Sequence, residues 1–128
     1  MLDLEALIIL VAFVVAIVAY ALISRKLQRR YLTSLSQTEF REGYRKAQLI
    51  DIREPQEYEG GHILGARNIP LSQLKMRIKE IRKDKPVYLY CQNGTRIGRA
   101  ASMLKKHGCE DINELKGGFK KWNGRIKK

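Results

Sequence analysis

Eighteen consecutive residues, Ala6 to Ile23, are apolar or aromatic without a single charge, and this run constrains the chain more than any other feature. An α-helix of that length rises about 27 Å at ~1.5 Å per residue, against a bilayer hydrocarbon core of ~30 Å. Leu2 and Leu4 can extend it. The stretch Leu7 to Val15 is apolar all round, whereas a surface helix of a globular protein keeps a polar face. Asp3 and Glu5 precede the run, and all 25 lysines and arginines follow it, beginning with Arg25, Lys26, Arg29 and Arg30. The positive-inside rule then predicts a single-pass anchor in the cell membrane over residues 1–23. Met1–Glu5 would lie outside and the remainder in the cytoplasm. A cleaved signal peptide is a second reading, since Ala19-Tyr20-Ala21 resembles a cleavage site; signal peptides, however, carry positive charge ahead of the apolar run. A buried core helix is a third, but the ~100 residues that follow could hardly wrap it.

Residues 24–35 are basic with spaced apolar positions, and the expectation is a juxtamembrane linker lying against anionic head groups. The formal charge of +12 therefore needs no nucleic acid to explain it, and no element interleaves basic with aromatic residues as a nucleic-acid surface would. The folded domain is expected over 36–128, a length that can bury its own core. Ser36-x-x-Glu39 forms a capping box at its start, followed by Phe40 and Tyr44 on one helical face. Two cysteines cannot build a disulfide scaffold.

Apolar runs alternate with helical patterns through this domain. Gln48 to Ile52 predicts a buried strand, Arg67 to Pro70 a short one, and Leu71, Leu74, Ile78 and Ile81 an amphipathic helix. Pro86 to Tyr90 is the strongest strand, aromatic and β-branched after a turn signal. Ile97, Ala100, Ala101 and Leu104 follow at i, i+3, i+4 and i+7, in a helix stopped by Lys105-Lys106-His107-Gly108. Ile112 to Leu115 is a last strand, and a final short helix holds Phe119 and Trp122. Such alternation predicts an α/β domain, a parallel sheet with helices on both faces, preceded by one transmembrane helix.

In open α/β sheets the chemistry sits where strands end and helices begin. The junction Tyr90-Cys91-Gln92-Asn93-Gly94-Thr95-Arg96-Ile97 places a cysteine at the end of the best strand and an arginine at the start of a helix. The thiolate is the nucleophilic form of cysteine. A helix N-terminus is worth about 0.3–2 kcal/mol to an anion, and the Arg96 guanidinium acts in the same direction. Gly94 lets the loop curl so that successive N–H groups turn inward as an anion nest. The expected product is a nucleophilic Cys91 at the base of a cradle formed by Gln92, Asn93, Gly94, Thr95 and Arg96. A small buried cysteine at a strand end is the alternative.

Three motifs carry a family resemblance across about Ser36 to Gly124. Asp51-Ile-Arg53-Glu54-Pro-Gln-Glu57-Tyr58, continued by Gly61-His62-Ile-x-Gly65-Ala66-x-Asn68-Ile69-Pro70, resembles the opening signature of the rhodanese-homology domain. Cys91-x-x-Gly94-x-Arg96 resembles its active-site loop, and Gly117-Gly118-x-x-x-Trp122 its closing motif. The resemblance implies the rhodanese-like fold and a sulfurtransferase in which Cys91 takes sulfane sulfur from thiosulfate or a persulfide donor. The sulfur would pass on to a thiol, cyanide or protein acceptor, with Gln92 to Arg96 binding the donor. It implies neither a metal nor an organic cofactor, and no nucleic acid. The chain departs from many active members in carrying Ile97, where a small hydroxyl residue follows the loop arginine; that removes one hydrogen bond to a bound anion.

Two further readings come from other classes. A membrane-tethered rhodanese-fold scaffold without catalysis has Ile97 as its support. A cysteine phosphatase or arsenate reductase would use Cys-x5-Arg to encircle a tetrahedral oxyanion, whereas four residues separate Cys91 from Arg96. Asp51 and Arg53 are read as a structural ion pair that could border the pocket. His62 is expected to hydrogen-bond backbone, Cys109 to be a buried inert thiol among acidic neighbours, and Trp122 to anchor the core.

Overall fold

The structure, a computed structural model, describes residues 3–28 and 30–128. Leu2, expected to extend the apolar helix, and Arg29, one of the four flanking cations, lie outside the described residues. The chain divides into two units, 1–30 and 31–128.

The first unit is one helix, α1 (Leu4–Gln28), whose large apolar residues are exposed along its length. Asp3 caps it through a 2.8 Å hydrogen bond that its Oδ1 accepts from the Ala6 N–H. From Leu4 to Leu27 it is long and apolar enough to cross a membrane.

The second unit contains β1 (Leu32–Leu35), α2 (Gln37–Gly43), β2 (Gln48–Asp51), α3 (Pro55–Glu59) and β3 (His62–Ile63). There follow β4 (Arg67–Asn68), α4 (Leu71–Arg77), β5 (Val87–Tyr90), α5 (Ile97–His107), β6 (Ile112–Leu115) and β7 (Ile126–Lys127). Five strands make a parallel sheet in the order β1-β6-β5-β2-β4, and β3 pairs with β7 as a separate antiparallel ribbon. The expected linker over 24–35 is divided differently. Its first half continues α1 to Gln28, and Leu32–Leu35 enters the sheet against β6, in register Leu32 with Ile112. Two apolar residues three positions apart give no strand period of their own; the pairing comes from β6.

Strand alternation sorts the core into two layers. Val87, Leu89 and Cys91 join Ile50, Ile52 and Ile112 on one face, covered by Leu74 of α4 and by Ile97, Ala100, Ala101 and Leu104 of α5. Tyr88 and Tyr90 point the other way, into a cluster with Phe40, Tyr44, Phe119 and Trp122. Helices therefore cover both faces of a rhodanese-like parallel sheet. The Ser36 capping box is formed, with the Glu39 N–H donating to Ser36 Oγ at 3.2 Å and the Ser36 N–H to Glu39 Oε1 at 3.0 Å. The helical stripe expected to reach Ile81 is α4 followed by a 3-10 turn at Ile78–Glu80. The expected final helix is a 3-10 turn, Phe119–Lys121, with Trp122 just beyond it.

Candidate active site

β5 is the middle strand of the sheet, and Cys91 is the first residue past its carboxyl end. Its strand parity turns the side chain towards the α4–α5 layer, where it is fully buried and free of any disulfide. The loop then folds back so that the Gly94 N–H donates to Cys91 Sγ at 2.9 Å. Gly94 holds φ at +90°, a left-handed backbone that glycine adopts without strain.

The polar side chains of the loop are already engaged, within the loop or with the opening motif. Asn93 Oδ1 accepts from the Thr95 N–H at 3.2 Å and the Thr95 hydroxyl at 2.8 Å. Gln92 Oε1 accepts from Arg53 Nη1 at 3.0 Å. Arg96 caps the start of α5, but its guanidinium lies against Glu57 of α3, with donor distances of 3.2 and 3.3 Å. The hydrogen bond it donates to Glu57 raises the Arg96 pKa above its ordinary value; burial opposes this, and the charges of Glu57 and Cys91 add to it. Burial pushes the Glu57 carboxyl up, but bonds from Arg96 and the Glu54 backbone, with the charges of Arg96 and Arg53, hold it below the usual carboxylate range. Glu57 was not among the residues the sequence singled out for the site. It lies 39 positions from Arg96, so only the folded chain brings the two together.

Asp51 and Arg53 are the buried ion pair the sequence suggested. Arg53 Nη2 lies 2.8 Å from Asp51 Oδ2, its Nε is 3.1 Å from both carboxylate oxygens, and neither residue is more than 2% exposed. Arg53 also donates to the Gly61 carbonyl at 2.7 Å and sits over the Phe119 ring at 4.2 Å. It thus ties the opening motif to the loop through Gln92. Burial pushes the Arg53 pKa down, but the Asp51 hydrogen bond and charge raise it further, so the net shift is upward.

The closing motif supports the loop from behind. The Phe119 N–H donates to the Cys91 carbonyl at 2.8 Å and the Lys120 N–H to the Gln92 carbonyl at 2.9 Å. Gly118 stands at φ +70°, ψ −171°, a region open essentially to glycine alone. A Cβ there would lie 2.7 Å from the Cys91 carbonyl and 2.6 Å from that of Gln92. The glycine pair is visible in the sequence as a motif, whereas this contact exists only in the folded chain.

His62 Nδ1 lies 2.8 Å from the Tyr58 carbonyl, to which it donates, and its ring stacks on Tyr58. Cys109 is buried, and burial pushes its thiol up despite the nearby Lys83 charge. Ile97 is buried beneath the loop, in the same cluster as Cys91. Trp122 meets Phe40 and Tyr44 edge-on at 5.9 Å. Among the described residues no three His, Cys, Asp or Glu side chains gather as metal ligands.

A parallel-sheet α/β domain with a cysteine closing its middle strand, and a polar loop curled over that sulfur, is the class this geometry defines. The chain belongs to the rhodanese-like domain family, whose model matches residues 36–125. It is 64% identical to the Bacillus subtilis (strain 168) protein YqhL over 94% of each chain. It is 34% identical to the putative sulfur carrier protein YrkF of the same organism, over 60% of this chain and 42% of that protein. A rhodanese-related protein from Thermoplasma volcanium superposes with a TM-score of 0.68 at 26% identity, covering 74% of this chain and 97% of its own.

Proposed function

We propose that the protein is a sulfurtransferase that carries sulfane sulfur on Cys91. The observation that carries this reading is the Gly94 N–H directed at Cys91 Sγ at the end of β5, in a loop whose carbonyls are pinned by the closing motif. In the first half-reaction the Cys91 thiolate attacks the outer sulfur of thiosulfate or a persulfide. With thiosulfate, the S–S bond breaks, its electron pair leaves on sulfite, and Cys91 keeps one sulfur as a persulfide. In the second, an acceptor thiolate or cyanide attacks that outer sulfur, and the departing electron pair restores the Cys91 thiolate. This is a two-step covalent course with no net redox change and no added cofactor.

Since Cys91 is fully covered, Gln92 to Thr95 lift to admit the donor. Their main-chain N–H groups then face its anionic end, and Arg96, released from Glu57, adds charge. Asp51 and Arg53 act indirectly, by positioning Gln92. Incubating the full chain in a mild detergent with thiosulfate, under limiting thiol, should add about 32 Da, the mass of one sulfur. Peptide mapping should find that mass on Cys91 and not on Cys109, and cyanide should remove it as thiocyanate. No uptake from thiosulfate or from a small-molecule persulfide, with Cys91 free, sinks the reading.

The reading includes a membrane anchor formed by α1, with the acidic N-terminal stub outside and the rhodanese-like domain in the cytoplasm. Its support is the apolar helix from Leu4 to Leu27 and the cations Arg25 and Lys26 in its last turn. In intact cells a thiol reagent that cannot cross membranes should leave a Ser34→Cys variant unlabelled and label it after lysis. Labelling in intact cells reverses the orientation.

A further inference from the structure

On the side of the sheet away from the Cys91 cluster, a cavity of about 600 Å³ opens between α2 and the segment that leads into β7. Three arginines from three different places line it: Arg41 of α2, Arg45 of the 3-10 turn Tyr44–Lys46, and Arg125 just ahead of β7. No acidic side chain among the described residues lines it. Among the described residues none of the three has a carboxylate within salt-bridge distance, although five other arginines do.

Two of the walls are tied to each other. Gln37 grips the opposite strip of chain twice, its Nε2 donating to the Lys121 carbonyl and its Oε1 accepting from the Asn123 N–H at 3.2 Å. Arg41 donates to Asn123 Oδ1 at 2.6 Å and lies 5.6 Å from the centre of the Trp122 ring. The indole N–H donates to the Arg125 carbonyl at 3.3 Å. Neutral groups thus hold the Arg41 guanidinium at the wall, and the strip that carries Arg125 is tied back through its own carbonyl.

We infer that this cavity binds a phosphate-bearing small molecule. Guanidinium forks match phosphate oxygens in pairs, and two or three of them around one anion is the arrangement phosphate groups select. The volume falls within the usual range for small-molecule sites, ~300–1,000 Å³, and exceeds what a bare phosphate fills. The site stands apart from Cys91 and does not depend on the sulfurtransferase reading.

Trp122 is the only tryptophan of the chain, so its emission reports this cavity alone. Full chain in a non-ionic detergent is titrated with ribose 5-phosphate, with ribose and matched potassium chloride as controls. A saturable change with ribose 5-phosphate only is the expected result. Arg45→Gln and Arg125→Gln should each weaken it about tenfold, the cost of one charge-assisted contact. Lys105→Gln, on α5, and Cys91→Ser should leave it unchanged. A second arm reconstitutes the chain in phosphatidylcholine vesicles with or without phosphatidylglycerol. A response confined to the phosphatidylglycerol vesicles assigns the same chemistry to a lipid phosphate. No saturable response to either phosphate source, or equal weakening by Lys105→Gln, overturns the inference.

Discussion

Replacing Cys91 by serine is expected to lower sulfur transfer from thiosulfate to cyanide by about ten-thousandfold or more, the scale on which losing a covalent nucleophile acts. Serine keeps the shape of the buried site and can still accept the Gly94 N–H that now meets Sγ at 2.9 Å. What it lacks is a readily formed anion and the capacity to hold a second sulfur. The fold should therefore survive while the chemistry stops. Cys109→Ser provides the matched control, because that thiol is buried and its ionisation is disfavoured; activity should stay within twofold or so of the parent chain. Steady-state thiocyanate formation decides it. A Cys91→Ser variant retaining a tenth of the parental rate removes Cys91 as the sulfur carrier.

The largest loss of stability should come from Asp51→Ala. Arg53 is 2% exposed, and its only carboxylate partner among the described residues is Asp51. Removing the carboxylate leaves a guanidinium in the interior with the neutral Gln92 Oε1, the Gly61 carbonyl and the Tyr90 and Phe119 rings to face. Breaking a buried pair from one side costs about 3–5 kcal/mol. Against a typical total of ~5–15 kcal/mol, that is a large share. The urea midpoint of the full chain in detergent should fall accordingly, and Asp51→Ala/Arg53→Met should recover much of the loss, because no unpaired charge then remains. A single-variant midpoint indistinguishable from the parent's would show the pair to be energetically idle.

Much of the architecture was legible because its strongest elements announce themselves locally. Pro86 to Tyr90 is aromatic and β-branched, and Ile97, Ala100, Ala101 and Leu104 keep helical spacing, so the strand, the loop and α5 could be read in order. β1 could not, since Leu32 and Leu35 draw their meaning from β6, about eighty residues further on. The same limit applied at the site. Cys91, Gly94 and Arg96 share one short loop, whereas the pairing of Arg96 with Glu57 and of Arg53 with Gln92 joins residues 39 positions apart. Local spacing showed which groups were present; tertiary packing decided which of them were already engaged.

The way the closing motif grips the loop has a consequence for how freely this family member can drift. Both clamps on the Cys91 and Gln92 carbonyls are main-chain amides, those of Phe119 and Lys120. Nearly any side chain can stand at Lys120 without touching that grip, and only an imino acid deletes a donor outright. The reactive loop is thus held by a feature that ordinary substitution hardly reaches, while Gly118, pressed against the same two carbonyls, has almost no room to change.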